Sequence, residues 1–269
     1  MPELPEVEAT RRRLRRAMEG VRIVRIIVRR ADLRGPFQSD FAQRLEGQTI
    51  RALRRRAKYL VAELSSGDLL LMHLGMSGSF RVERSGRAVL EAHDHVVFEL
   101  ACGSSVIFND PRRFGSMRVI AGAEAASHPV LNALGPEPLA RDFDGGLLAS
   151  QLRRRRTSLK AALSDQSVVA GLGNIYVSEA LHRAGLSPMR RASTLATRSG
   201  APRRAAQLLA AAIKQVLEDA IAGQRRDSED RFRVYDREGE RCRRRRCPGI
   251  IRRRVQSGRS TFYCPLCQA

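Results

Sequence analysis

The spacing of apolar residues changes once along this 269-residue chain, and that change constrains the fold more than any other feature. Up to about residue 130 the apolar residues form short β-branched or alternating runs, which are typical of strands. The turns SSGD, RSGR and ACGS separate these runs. From 151 to 223 apolar residues recur at the helical spacing of about 3.6 residues. The sequence therefore predicts an α+β multidomain protein, with strands first and helices second.

The first 130 residues are predicted to form a β-sandwich or flattened barrel that carries an N-terminal helix. The helix is expected from Val7 to Met18, with Gly20 closing it. The strands should be short and mostly antiparallel. They are expected near 21–30, 48–56, 58–64, 69–74, 78–82, 94–100 and 104–109.

A linker is predicted over 131–150, because LGPEPL and RDFDGG interrupt regular structure. A helical domain follows over 151–223, and its apolar spacing predicts helices near 147–156, 158–165, 174–185 and 202–222. Between two of them, VVAGLGNIY forms a glycine-rich turn that leads into a helix at Asn174. Unpaired backbone N–H groups at such a helix start bind phosphate, and glycines allow close approach.

The segment 224–269 begins with an arginine-rich connector and ends with two cysteine pairs, spaced by four and by two residues: Cys242, Cys247, Cys264 and Cys267. This arrangement predicts one structural zinc ion on a β-hairpin. Disulfides are the alternative, but no secretory signal supports them. Arg259 should lie at the hairpin tip, pointing away from the metal, where it suits a phosphate. The remaining Cys102 is expected to be an ordinary buried or turn thiol.

The formal charge of +21, from 49 Lys and Arg against 28 Asp and Glu, predicts a polyanionic partner. Nucleic acid is the first candidate, and an anionic membrane surface is the alternative. No apolar run approaches the ~20 residues of a membrane span, and the N-terminus does not resemble a signal peptide. A soluble, intracellular protein is therefore expected.

The opening residues MPELPEVE place chemistry at the start of the chain. If Met1 is removed, Pro2 presents a secondary amine that is partly unprotonated at neutral pH. Such an amine can attack an electrophilic carbon and form an iminium. Glu3 would then be the neighbouring proton donor, with Glu6 one helical turn away. The alternative is structural, because proline and acids are also common in the first turn of any helix.

Three motifs in the strand-rich region suggest function. In RRRAKYL, Lys58 lies between a basic and an apolar strand, although a solvated strand-end lysine would look the same. In HLGMSGSF, two glycines would hold Met76 on a tight exposed turn, whereas most methionines are buried. In NDPRRFG, a proline turn presents Arg112, Arg113 and Phe114 together, as an intercalating wedge beside phosphates requires.

Together these motifs resemble the bacterial formamidopyrimidine-DNA glycosylase family. The resemblance spans the chain through MPELPEVE, RRAKYL, HLGMSGS, HDHV, DPRRFG, LGPEPL, VVAGLGNIYVSEAL and GRSTFYCPLCQ. It implies a bifunctional enzyme that excises oxidised purines such as 8-oxoguanine from duplex DNA and cleaves the abasic site by β,δ-elimination. The implied fold is an N-terminal β-sandwich, a helix-two-turn-helix domain and a C-terminal zinc finger.

The resemblance also implies roles for individual residues. Pro2 is similar to the family's Schiff-base nucleophile, Glu3 to its acid, and Glu6 to an assisting group. Lys58 resembles a lysine near the lesion phosphates that assists elimination. Arg259 resembles the finger arginine of the last elimination step.

Other residues resemble the family's DNA contacts. The phosphate contacts implied are His93, Arg156, Lys160, Asn174 and Tyr235. Three further residues resemble those inserted where the extruded base had been: Met76, Arg112 and Phe114. Arg112 would face the orphaned cytosine. Filling the gap offsets the cost of extruding the base, which is a few kcal/mol.

The sequence departs from the family in two places. The first cysteine pair is spaced by four rather than two residues, which zinc tolerates. Over 224–234, family members usually carry a longer loop that closes over the everted base, and here most of it is missing. We therefore expect altered or relaxed discrimination between 8-oxoguanine and ring-opened purines.

Two other functions stay open. An endonuclease VIII-like enzyme for oxidised pyrimidines would share the Pro-Glu chemistry, but Leu4 stands where that relative has glycine, and the insertion residues argue against it. A non-catalytic, damage-binding zinc protein would not need Pro2, Glu3, Lys58 and Arg259. For the glycosylase function and for both alternatives, the chain is expected to be a monomer in the bacterial cytoplasm, associated with the nucleoid through DNA.

Overall fold

The computed structural model of the protein describes residues 2–84, 89–223 and 232–269. These residues form two compact units, Met1–Asn132 and Ala133–Ala269, so the division falls inside the predicted linker. Among the described residues, none of the helices combines the length and the apolar character needed to cross a membrane. Met1 and most of the predicted RSGR turn lie outside the described residues.

The first unit begins with helix α1, Leu4–Met18, which ends before Gly20 as predicted. It starts three residues earlier than expected. The side chains and backbones of Glu3 and Glu6 form a capping box there, in which the Glu3 N–H donates to Glu6 Oε2 at 3.0 Å. Two backbone donors at the helix start are thereby satisfied, so the acids have a structural role as well.

In the part of the first unit that the structure describes, eight strands form two antiparallel four-stranded sheets with the orders β1-β6-β7-β5 and β2-β3-β4-β8. The strands are β1 Ile23–Val28, β2 Ile50–Arg56, β3 Tyr59–Leu64, β4 Leu69–His73, β5 Ser79–Arg84, β6 Asp94–Leu100, β7 Ser104–Asn109 and β8 Ser116–Ile120. Apolar side chains from both sheets and from α1 share one core, including Leu14, Leu60 and Phe108. This confirms the predicted two-sheet fold with its N-terminal helix.

Strand β8 and helix α2, Phe41–Leu45, were not predicted from the sequence. Each has only five residues, which is too short for a clear apolar period. A short helix α3, Pro129–Asn132, ends the unit.

The described residues of the second unit form four α-helices: α4 Gly145–Leu152, α5 Leu159–Ser164, α6 Asn174–Ala184 and α7 Arg204–Gly223. Helix α4 shows that two predictions were wrong. The linker does not extend to residue 150, and the helix predicted over 147–156 starts at Gly145 and ends at Leu152. Asp144 caps α4 by accepting a 2.8 Å hydrogen bond from the Leu147 N–H, so RDFDGG begins a helix here. Glycine is also required by packing, because a β-carbon on Gly145 would lie 2.6 Å from Gln207 Cα.

The predicted glycine-rich turn before α6 is confirmed, with Gly171 at φ +85° and Gly173 as the N-cap. The cysteine-containing segment carries the expected hairpin of β9, Arg252–Gln256, and β10, Arg259–Tyr263. Its two tip residues, Ser257 and Gly258, both have positive φ, which is the type I′ geometry preferred by two-residue hairpins.

Candidate functional site

The N-terminal end of α1 carries the candidate catalytic acids. Pro2 is half-buried, and Glu3 is only 1% exposed. Glu6 accepts from the Glu3 backbone one turn further along. A helix N-terminus stabilises carboxylates electrostatically, while burial favours the protonated form. The local structure therefore places the buried Glu3 directly after Pro2 in a partly desolvated environment.

Lys58 occupies the two-residue turn that joins β2 and β3, between the paired residues Arg56 and Tyr59. Its side chain is buried, with 8% exposure. The preceding residue, Ala57, has φ +53°, a left-handed conformation that is uncommon for a residue other than glycine. The solvated strand-end alternative for Lys58 is therefore wrong.

His73, at the end of β4, is a candidate that the sequence analysis missed. Burial, together with the positive charges of Lys58 and Arg34, lowers the pKa of His73 to about 4. Its Nδ1 accepts a 3.0 Å hydrogen bond from the Gly75 N–H. The neutral ring therefore carries its proton on Nε2, which can donate to a ligand. The available signal was a histidine between an apolar strand and the glycine turn of HLGMSG.

Two loops of the first unit present the predicted wedge residues. Ser77 links the loops, because its Oγ donates to Asp110 Oδ1 at 2.5 Å and accepts from the Arg112 N–H at 3.1 Å. Asp110 is fully buried and also accepts from the Gly115 N–H at 2.8 Å. The two loops are therefore held as one rigid surface.

Met76 and Phe114 remain exposed on this surface, at 39% and 45%. The Arg112 guanidinium lies 5.0 Å from the centroid of the Phe114 ring, a cation–π distance. These three residues and His73 line a cavity of about 500 Å³. Exposed apolar side chains beside an arginine are suited to insertion into a nucleic-acid stack.

His93 does not line this cavity. Its ring is exposed and lies 6.5 Å from that of His95. His73, unlike His93, lines this cavity, whereas the backbone carbonyl of His93 accepts a 3.0 Å hydrogen bond from the Asp110 N–H.

In the second unit, Lys160, Asn174 and Arg259 line a cavity of about 240 Å³. Asn174 Nδ2 donates to the Ser260 carbonyl at 3.0 Å, while its buried Oδ1 has no hydrogen-bond partner. The Lys160 ammonium donates to the same carbonyl and to Thr261 Oγ1. Burial and the charge of Arg259 lower the pKa of Lys160 to about 8. Lys160 thus fastens the hairpin, and Arg259 is exposed beside it.

The other two predicted contacts lie outside this cavity. Arg156 is exposed in the loop between α4 and α5. The Tyr235 ring packs between those of Phe232 and Phe262, at centroid distances of 5.7 and 5.2 Å. Glu179 holds the adjoining backbone by accepting from the Tyr235 N–H at 2.9 Å.

The four predicted metal ligands come together, with their sulfur atoms all within 4.8 Å of one another. The Cys242–Cys267 and Cys247–Cys264 sulfur distances are 3.8 and 3.7 Å, and all four thiols are free. A disulfide has a bond of about 2.05 Å, so the disulfide alternative is wrong. A tetrahedron with metal–sulfur bonds of about 2.3 Å places its sulfurs about 3.8 Å apart, so the cluster fits a metal ion such as zinc.

Comparison with known proteins agrees with this geometry. The sequence model of the formamidopyrimidine-DNA glycosylase N-terminal domain matches residues 1–117, and that of the helix-two-turn-helix domain of the same enzymes matches residues 134–230. A curated formamidopyrimidine-DNA glycosylase from Bradyrhizobium sp. strain BTAi1 is 55% identical over 292 aligned positions that cover all of both chains.

Two solved structures have the same fold. The Lactococcus lactis enzyme in complex with DNA containing FAPY-dG has a TM-score of 0.87, with 33% identity and 99% of each chain covered. A MutM protein in complex with DNA containing carbocyclic 8-oxo-G has a TM-score of 0.86, with 33% identity and both chains fully covered.

The fold, the N-terminal Pro-Glu start and the wedge loops define a DNA glycosylase and abasic-site lyase of base-excision repair. The two domain matches and the full-length relatives are decisive for its family. The chain belongs to the formamidopyrimidine-DNA glycosylase family.

Proposed function

We propose that this enzyme excises oxidised purines, 8-oxoguanine and formamidopyrimidines, from duplex DNA and then cleaves the backbone by β,δ-elimination. The observation that carries the proposal is Glu3, an almost fully buried acid beside Pro2 at the N-terminus of α1. A positioned acid can supply a proton while the neighbouring amine attacks.

The proposed reaction requires removal of Met1, after which the free Pro2 nitrogen attacks C1′ of the damaged nucleotide. The glycosidic bond breaks, its electron pair leaves with the base, and the base takes up a proton. Opening of the sugar leaves an iminium on Pro2. A base then removes a proton from C2′, the iminium accepts the electron pair and the 3′ phosphate departs. Loss of the C4′ proton expels the 5′ phosphate in the same way. Glu3 is the proton donor, Glu6 assists it, and Lys58 and Arg259 assist elimination at the phosphates.

DNA is contacted through two sets of residues in this proposal. Met76, Arg112 and Phe114 fill the space left by the extruded base, which their exposure and rigid loops support. The phosphate contacts are the predicted His93, Arg156, Lys160, Asn174 and Tyr235, to which the neutral Nε2–H of His73 is added. The second cavity supports this role for Asn174, because Lys160 and Arg259 line it beside Asn174 and their positive charges attract a phosphate.

Lesion preference is expected to be altered or relaxed. The two solved neighbours hold FAPY-dG and 8-oxo-G lesions. The Bradyrhizobium relative aligns over 292 positions, more than the 269 residues here, so it carries residues that this chain lacks. The short segment 224–234 agrees with such a difference, although residues 224–231 lie outside the described residues.

The cysteine cluster is proposed to hold one zinc ion, which stabilises the hairpin and so presents Arg259. We further propose that the enzyme is a monomer in the bacterial cytoplasm, associated with the nucleoid through DNA. The high positive charge supports that association.

Borohydride trapping tests the proposal on two duplexes, one with 8-oxoguanine opposite cytosine and one with an oxidised pyrimidine. A covalent adduct mapped by mass spectrometry to Pro2 with the first duplex supports the nucleophile and substrate class together. Trapping with the pyrimidine lesion alone favours the endonuclease VIII-like alternative. Tight binding without any adduct contradicts the mechanism.

A second measurement tests lesion preference. Single-turnover excision rates are compared on 8-oxoguanine and formamidopyrimidine duplexes, with a family member carrying the longer loop as control. A strong 8-oxoguanine preference equal to that of the control contradicts the proposed effect of the short segment.

A further inference from the structure

The turn that carries Lys58 is connected to helix α1 through two charged residues, Glu8 and Arg55. Glu8 lies on α1 and is 9% exposed. Its carboxylate accepts from Arg11 and Arg12 at 2.8 to 2.9 Å, and Arg55 Nε lies 3.4 Å from its Oε2. Arg11 and Arg12 therefore hold this nearly buried carboxylate by hydrogen bonds, and Arg55 is attracted to it as an ion pair.

Arg55 reaches from this carboxylate to the turn itself. Its Nη1 donates a 3.1 Å hydrogen bond to the carbonyl oxygen of Ala57. Ala57 has φ +53° at the first position of a two-residue hairpin turn, where glycine is usually preferred. A residue with a β-carbon adopts this conformation only when surrounding contacts enforce it. The hydrogen bond from Arg55 is such a contact, and Lys58 is the next residue.

We propose that Glu8 and Arg55 are positioning residues for Lys58. Pro2 and Glu3 stand directly before the first turn of this helix, and Glu8 lies about one and a half turns after Glu3. A rigid connection from Glu8 through Arg55 to Ala57 therefore sets the place of the Lys58 ammonium relative to the Pro2 nitrogen. This inference rests on the role proposed above for Lys58.

The chemistry of arginine is required at position 55. A guanidinium offers separate N–H groups to the carboxylate and to the carbonyl, whereas the single ammonium of lysine cannot span both. Arg55→Lys keeps the charge and removes this bridge. Arg54→Lys is the matched control, because Arg54 is the neighbouring strand residue, largely exposed and paired with Glu63.

The test measures single-turnover elimination on an abasic-site duplex together with the dissociation constant for that duplex. Arg55→Lys is expected to lower the rate constant by about tenfold to a hundredfold, because small misplacements of catalytic groups have effects of this size. The dissociation constant should change by less than about twofold. Arg54→Lys should leave both values unchanged.

A second substitution, Ala57→Gly, distinguishes a loss of Lys58 positioning from a general destabilisation of the protein. The double variant Arg55→Lys with Ala57→Gly is expected to recover most of the lost rate, since glycine adopts a left-handed conformation without support. Glu8→Gln should lower the rate as well, and its effect should be less than additive with Arg55→Lys. Should Arg55→Lys fail to fold, Glu8→Gln with and without Ala57→Gly provides the same comparison.

The outcomes are distinguishable. If Lys58→Gln itself leaves the elimination rate unchanged, the proposed role of Lys58 is wrong. If Lys58→Gln slows elimination but folded Arg55→Lys does not, the positioning inference alone is overturned. A slow Arg55→Lys variant that Ala57→Gly does not rescue also overturns it.

Discussion

Gly75 and the backbone of Phe114 lie so close together that a β-carbon on Gly75 would be 2.3 Å from the Phe114 carbonyl carbon. Gly75 also has φ +65°, a conformation that favours glycine. This contact joins the loop carrying Met76 to the loop carrying Arg112 and Phe114. The wedge surface therefore depends on the absence of a side chain at one position.

Gly75→Ala is expected to destabilise the protein beyond the conformational cost alone. Gly47→Ala is the control, since Gly47 has φ +79° and no atom near the new β-carbon. The control should cost about 1–2 kcal/mol, as a left-handed alanine does. Gly75→Ala should cost clearly more and weaken binding to lesion DNA. Urea unfolding and DNA titration measure the two effects, and equal losses for both variants would contradict the expectation.

His73 is expected to make the protein less stable as the pH falls from about 6.5 to 4. Burial and the neighbouring charges of Lys58 and Arg34 lower the pKa of His73 to about 4, below its ordinary value of 6.5. Between these values the unfolded chain binds the proton first, so unfolding is favoured. Above pH 6.5 His73 is neutral in both the folded and the unfolded state, so it no longer makes the stability depend on pH.

The measurement compares the wild type with His73→Asn, which keeps an acceptor for the Gly75 N–H but does not titrate. The difference in unfolding free energy between the two proteins should shift by up to about 3 kcal/mol between pH 7 and pH 4. Comparing the two proteins removes the acid sensitivity of other groups, such as Glu8. A constant difference across this range would show that folding does not shift the pKa of His73, and would contradict the expectation.

Removal of the metal is expected to unfold the hairpin. Cys247→Ser should reduce bound zinc from about one ion per chain to nearly none, because a structural site needs its four ligands. Thermal stability and DNA binding should fall with it. Cys102→Ser is the control, since Cys102 is exposed and outside the cluster. Metal analysis of the purified variants decides the outcome, and full zinc retention in Cys247→Ser would contradict it.

Arg259 is expected to act on DNA phosphates from the hairpin. Arg259→Ala should weaken binding similarly for all sequences and reduce the slope of log Kd against log salt by about one. Arg259→Lys keeps the charge and should retain the slope while slowing elimination. Titrations at several salt concentrations test this, and an unchanged slope for Arg259→Ala would exclude the phosphate contact.

Much of the fold could be predicted because its signals are local. Strands of six or seven residues, such as Ile50–Arg56 and Asp94–Leu100, have readable apolar patterns, and the spacing of the cysteines predicts their cluster. The five-residue elements Phe41–Leu45 and Ser116–Ile120 carry too little periodicity and were missed. The helix start at Gly145 was missed because glycine usually interrupts helices, whereas here packing against Gln207 requires it.

The residues of the candidate site also fall into two groups, those that local motifs predicted and those that only the folded structure revealed. The motifs that contain Pro2, Glu3, Met76, Phe114 and the four clustered cysteines together resemble one family, so the sequence by itself determined the family and the reaction class.

Only the tertiary structure decided that His73 is neutral, that Gly75 touches Phe114, and that Glu8 supports the Lys58 turn through Arg55. The physical reason is how far apart along the chain the interacting residues are. Motifs and periodicity express interactions between neighbours in the chain, whereas burial, pKa and backbone support arise from residues that are distant in sequence and adjacent only after folding.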